Sequence, residues 1–158
     1  MFRLALWLAA LTLVGAAHAH AYLNASTPVE NSVVAELQEV QLVYSEPVEI
    51  RFSLFKVYPL ELGEAAPADL SAVSDDELRR VSGLAGALVS EVLELRGDEE
   101  ARADSGVTTA ERTSQELALG LKETLEPGAY VVMWRVLSID THTTQGFFVF
   151  FYQPDAAG

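Results

Sequence analysis

Asp140 and His142 stand two residues apart in the polar connection between two strongly apolar runs, Tyr130 to Leu137 and Gly146 to Phe151. On an extended backbone, side chains at that spacing leave on the same face. A carboxylate and an imidazole would then converge, as a metal site requires. Asp-x-His is also a common accident, in which the aspartate bonds loop amides and the histidine is half exposed. A third donor decides between these readings.

The candidate third donor is His20. Met1 to Ala19 has one positive charge, Arg3, then the apolar run Leu4 to Ala17 and the small-residue pattern Ala17-His18-Ala19. That layout is expected of a secretory signal peptide, being too short for a membrane span and ending at a small-residue cleavage site. Cleavage after Ala19 makes His20 the first residue of a mature, exported and soluble chain, and removes His18. An α-amine titrates near pH 8, so a metal displaces its proton readily near neutrality. The amine and the imidazole Nδ1 of one residue can then chelate a single ion. Two other cuts stay open: cleavage after Ala17 puts His20 third in the chain, also a Cu(II)-binding arrangement, and cleavage after Ala21 leaves Tyr22 first and destroys both.

Composition narrows the function classes. The 158-residue chain carries a net charge of −13, and loss of Arg3 makes it more negative. No basic patch is available for phosphates, which excludes nucleic acid as a partner and suits a cation. There is no cysteine, hence no disulfide, thiolate ligand or thiol nucleophile. After processing only Met133 supplies a thioether, so a methionine-rich Cu(I) site is not available. No Ser-His-Asp arrangement or paired carboxylates stand on hydrolase spacing.

The elements that must position these residues read mostly as strands. Ala21 to Ala25, Val40 to Tyr44, Ile50 to Leu54 and Ser114 to Leu121 are short apolar or alternating runs, and with the two opening runs they suggest an all-β sandwich. Ser45-Glu46-Pro47 is expected to break the second strand. Pro127-Gly128 is spaced for a type II turn. Residues 65–110 differ, with a mixed or helical insertion expected. Ser74 and Glu77 stand at capping-box spacing, and Leu78, Val81, Leu84, Leu88, Val92 and Leu95 can form one helical face from Asp75 to Arg96. Gly83 and Gly86 weaken that helix, and Val89 to Leu95 could instead be a strand. The acid-rich stretch Gly97 to Gly106 reads as a solvated loop. The expected organisation is a signal peptide over 1–19, one domain over 20–152 and a loose tail over 153–158.

In these features the chain resembles the CopC/PcoC family of periplasmic copper-binding proteins. The resemblance is carried by His20-Ala21-Tyr22-Leu23 with Ser26-Thr27-Pro28, by Tyr44-Ser45-Glu46-Pro47-Val48, by Leu125-x-Pro127-Gly128-x-Tyr130-x-Val132-x-Trp134-Arg135-Val136-x-Ser138-x-Asp140-x-His142, and by Gly146-x-Phe148-x-Phe150. It implies a Greek-key β-barrel or immunoglobulin-like sandwich holding one Cu(II) per chain. His20 would supply amine and imidazole nitrogens, His142 a third nitrogen and Asp140 a carboxylate oxygen, with Glu46 near the metal as an outer or weak axial group. Three nitrogens and one carboxylate suit Cu(II). The implied role is periplasmic, in copper homeostasis and resistance, sequestering copper or delivering it to a membrane partner of the CopD type without enzymatic activity. Ser138 and Thr141 would orient the ligands, Trp134 would pack in the core, and Arg135 on the opposite face would pair with an acid. The chain departs from the family in lacking a methionine-rich segment and in its longer Lys56 to Thr113 region. Two alternatives are a histidine-brace oxidative copper enzyme of the polysaccharide monooxygenase kind, and a metal-free immunoglobulin-like interaction module.

Overall fold

The computed structural model describes residues 20–67, 70 and 73–154; the expected signal peptide and the end of the tail lie outside the described residues. Eight strands and one α-helix follow one another as β1 (Leu23–Thr27), β2 (Val33–Val34), β3 (Glu39–Glu49), β4 (Leu54–Leu60), α1 (Asp75–Val92), β5 (Asp104–Val107), β6 (Thr113–Leu121), β7 (Gly128–Leu137) and β8 (Thr143–Tyr152). They form two four-stranded sheets, ordered β1-β3-β6-β5 and β2-β8-β7-β4. All neighbours are antiparallel except β2 and β8, which run parallel. This is the sandwich that the alternating runs predict.

Period-two alternation fills the space between the sheets. Val40, Leu42 and Tyr44 of β3 and Leu117 and Leu119 of β6 face Phe55 and Val57 of β4, Tyr130, Val132, Trp134 and Val136 of β7, and Phe148 and Phe150 of β8. Each such fully buried apolar side chain contributes roughly 1.5–3 kcal/mol. Trp134 lies in this core as expected, edge-on to Tyr44. Gly146 is opposite it on β8, and a Cβ there would come within 2.5 Å of the indole.

A second apolar cluster explains why β7 and β8 read as unbroken apolar runs: they are buried on both faces. Val131 and Met133 of β7 and Val149 and Phe151 of β8 point away from the first core and pack with Val81 and Ala85 of α1. The helix begins as its sequence dictates, with Ser74 and Glu77 forming a reciprocal capping box. It ends at Val92, so Val89 to Leu95 is no strand, and Leu84 and Leu95 are exposed rather than part of the buried face. Gly86 faces Phe147, and a Cβ there would meet that ring at 3.6 Å, an ordinary van der Waals contact.

Three expectations need correction. Ile50 to Leu54 alternates, yet Ile50–Phe52 is a 3-10 turn that carries the chain from one sheet to the other, and the strand begins at Leu54. Gly97 to Gly106 is not a solvated loop. Asp104 opens β5, and Asp98 and Asp104 are buried, held by Lys56 and Arg102 respectively. Gly128 has no positive φ and starts β7, so no type II turn precedes that strand. Arg135 does pair with an acid, Glu94.

Candidate metal centre

Three chain segments meet at one end of the sandwich, and a break in β3 lets them do so. Val43 pairs with Glu116 and Val48 with Ser114, so Ser45, Glu46 and Pro47 bulge out of the ladder with β6. Pro47, which has no N–H to donate, is tolerated there for that reason. Instead of breaking, the strand continues to Glu49 and turns its bulge toward β7 and β8. Val48 bridges Ser138, and the Ile139 N–H donates to Pro47 O.

The β7–β8 connection is a tight turn, not the extended segment that the Asp-x-His spacing suggests. Ser138 N–H donates to His142 O and Thr141 N–H to Ser138 O, with Thr141 at φ 74°. A β-branched residue in the left-handed region is strained. The turn nonetheless leaves Asp140 and His142 side by side. Asp140 Oδ2 lies 2.8 Å from His142 Nδ1, and Asp140 Oδ1 accepts the His142 N–H and the hydroxyl of buried Ser138. The Ser138 hydroxyl, more than anything else, holds the Asp140 carboxyl down at about 2, with the His142 amide and ring adding to it. Asp140 is therefore anionic throughout the neutral range. Ser138 bonds Asp140 through its hydroxyl, and Thr141 takes part in the turn through its backbone N–H.

His20 arrives from the other sheet, just before β1. Its ring centroid lies 4.8 Å from that of His142 and 6.1 Å from that of Tyr22. One donor atom each from His20, Asp140 and His142 lie within 4.8 Å of one another. Donors bound about 2 Å from a shared ion stand roughly 3–4 Å apart, so small rotations suffice to close the set. Two imidazoles and one ionised carboxylate are a donor set for a divalent transition metal. Glu46 stays outside this cluster of three. Its Oε1 is nevertheless buried and accepts no hydrogen bond from the described residues, an arrangement that costs free energy without a cationic or aqueous partner.

One part of this neighbourhood carries no sequence signal. Ser45 and Thr144 fasten the segment that carries His20, through bonds to backbone groups at His20, Ala21 and Tyr22. Nothing in a lone serine or threonine announces such a contact. Away from the site, the long-range pair Lys56 and Asp98, 2.5 Å apart and both buried, was equally silent.

With this geometry in hand, the likenesses to known proteins become informative. Residues 84–153 match the CopC domain family model, a stretch that takes in Asp140 and His142 but not His20 or Glu46. Among solved structures, CopC from Methylosinus trichosporium OB3b is similar over 88% of this chain and 99% of its own, at 21% identity and a TM-score of 0.55. PcoC, a methionine-rich copper resistance protein from Escherichia coli, is similar over 85% of this chain and 100% of its own, at 24% identity and a TM-score of 0.54. At such identities the structures establish a shared fold. No curated protein matches the sequence. The match over residues 84–153 and the sandwich shared with these structures make the chain similar to CopC proteins in fold and in the sequence of its C-terminal half.

Proposed function

We propose that this protein is an extracytoplasmic Cu(II)-binding protein of copper homeostasis and resistance, which sequesters one copper ion per chain or passes it to a membrane partner of the CopD type. The observation that carries this reading is the meeting of His20, Asp140 and His142 at one point, from segments more than a hundred residues apart. Copper is the cargo rather than a tool of catalysis, and no enzymatic step is assigned. Its identity is supported by the copper resistance protein of the same fold and by the donor chemistry, since nitrogen and oxygen ligands without sulfur favour Cu(II) over Cu(I).

Signal cleavage after Ala19, in the periplasm, completes the site by freeing the His20 amine. The amine and the His20 imidazole then chelate the ion, His142 gives the third nitrogen, and Asp140 gives the carboxylate oxygen. Glu46, with its buried unpartnered oxygen, serves as an outer or weak axial group. Every nitrogen must be unprotonated to bind, so copper is released on acidification.

Copper titration of the processed protein against a competing chelator tests the assignment. His142→Ala should weaken Cu(II) binding by at least a hundredfold, and Glu46→Gln by tenfold or less. Unchanged affinity in the His142→Ala protein would remove the site.

A further inference from the structure

A residue at a chain terminus is ordinarily the least ordered part of a domain, yet the proposed chelate depends on one. The arm His20-Ala21-Tyr22 is held more firmly than a terminus needs to be. Ser45 Oγ donates to His20 O at 3.2 Å and accepts the Tyr22 N–H at 3.0 Å. The Ser45 N–H donates to Tyr22 O at 2.8 Å. From the opposite side Thr144 Oγ1 donates to Ala21 O at 2.7 Å. Between these contacts the Ala21 methyl is 1% exposed, in the core between the sheets.

We infer that Ser45 and Thr144 are positioning residues for the copper site, two hydroxyls that clamp the mature N-terminal arm between the sheets and so set His20 against Asp140 and His142. The inference rests on the copper reading above. Three features support it. All four hydrogen bonds involve atoms from the His20 carbonyl onward, so cleavage before His20 leaves them intact while creating the amine. The clamps belong to the two segments that carry the other candidate groups: Ser45 precedes Glu46 in the β3 bulge, and Thr144 follows His142 by two residues on β8. Finally, Ser45 is exposed, so its hydroxyl fills no packing space, and among the described residues its hydrogen bonds go to the arm.

The consequence is preorganisation. A tethered arm does not have to be ordered when copper arrives, so its bonds appear as affinity and as slow release. Losing the Ser45 hydroxyl, which serves two backbone groups, should weaken Cu(II) binding about tenfold, and losing the single Thr144 bond about fivefold.

The experiment uses signal-processed protein and Cu(II) itself, comparing the parent with Ser45→Ala, Ser45→Thr, Thr144→Val and Thr144→Ser by chelator competition, copper release rate, electron paramagnetic resonance and metal-free melting. Expected are faster release and altered copper hyperfine coupling in Ser45→Ala and Thr144→Val, parental behaviour in the two hydroxyl-retaining variants, and metal-free melting temperatures close to the parent's in all four. Parental affinity and spectrum in Ser45→Ala and Thr144→Val would overturn the clamp alone. So would weakened binding in Ser45→Thr and Thr144→Ser equal to that in the variants lacking the hydroxyl. A parent that binds no copper would instead overturn the metal reading, and the clamp with it.

Discussion

At the scale of single residues, strain and charge are concentrated in the turn that carries Asp140 and His142. Thr141 is held at φ 74°, a conformation in which asparagine is far more comfortable than a β-branched side chain. Thr141→Asn should therefore stabilise the metal-free protein by about 0.5–1 kcal/mol while leaving copper affinity within about twofold, which thermal melting and chelator competition would check. Ser138→Ala should act in the opposite sense. It removes the largest influence keeping the Asp140 carboxyl near 2 and frees the turn, so the midpoint of acid-induced copper release should move to higher pH. Asp140 and His142 were visible in the sequence as a pair, because a spacing of two is a local property. The reason they converge was not: a tight turn with a left-handed residue achieves what an extended strand was expected to do. Glu46 gave no local sign that one of its carboxylate oxygens is buried, which follows from a bulge defined only against β6 and β7.

At the scale of elements, the insertion between β4 and β5 is fastened by a buried charge. Lys56 Nζ, on β4, donates to Val92 O and Leu95 O at 2.7 Å each and to Asp98 at 2.5 Å, where the Tyr58 hydroxyl also donates. Carbonyls at and just after the end of α1 thus face a cation, which the helix dipole also favours. Burial pushes the Asp98 carboxyl up, but the Lys56 ammonium and the Tyr58 hydroxyl outweigh it and hold the carboxyl below its ordinary value. Removing one partner strands the other in the interior. Lys56→Ala should cost about 3–5 kcal/mol, read by denaturant unfolding, whereas Arg79→Ala, which breaks only the exposed pair with Asp76, should cost under about 1 kcal/mol. The helix itself was legible from its capping box and apolar period, and β7 and β8 from their uninterrupted apolar runs. Lys56 and the acids from Asp98 to Asp104 were misleading because charge normally marks solvent. Here Glu99 and Glu100 are exposed as charge predicts, but Asp98 is buried against Lys56, far away in sequence, and Asp104 against Arg102, across a strand start.

At the scale of the whole molecule, acid should act on both the fold and its cargo. Asp98 and Asp140 have folded-state pKa values below the unfolded carboxylate value near 4. The stability they contribute is complete above that value and is lost as pH falls below it, for Asp140 through the window between about 4 and 2. The metal-free melting temperature should accordingly be nearly level from pH 7 to 5 and drop below pH 4. Copper binding should weaken on acidification as well, because protons compete with the metal for its nitrogen ligands. The all-β architecture was legible as a whole, since alternation and turn residues state it locally. The order of strands was less so, because β4 follows a turn that itself alternates like a strand. The account turns on one claim, that copper is held at a mature N-terminus beginning at His20, and native mass spectrometry of the exported protein after one equivalent of Cu(II) tests it most directly. A mass that starts at His20 and retains one copper ion is the predicted result; a mass that starts at Tyr22, or one that starts at His20 and retains no copper, would contradict it.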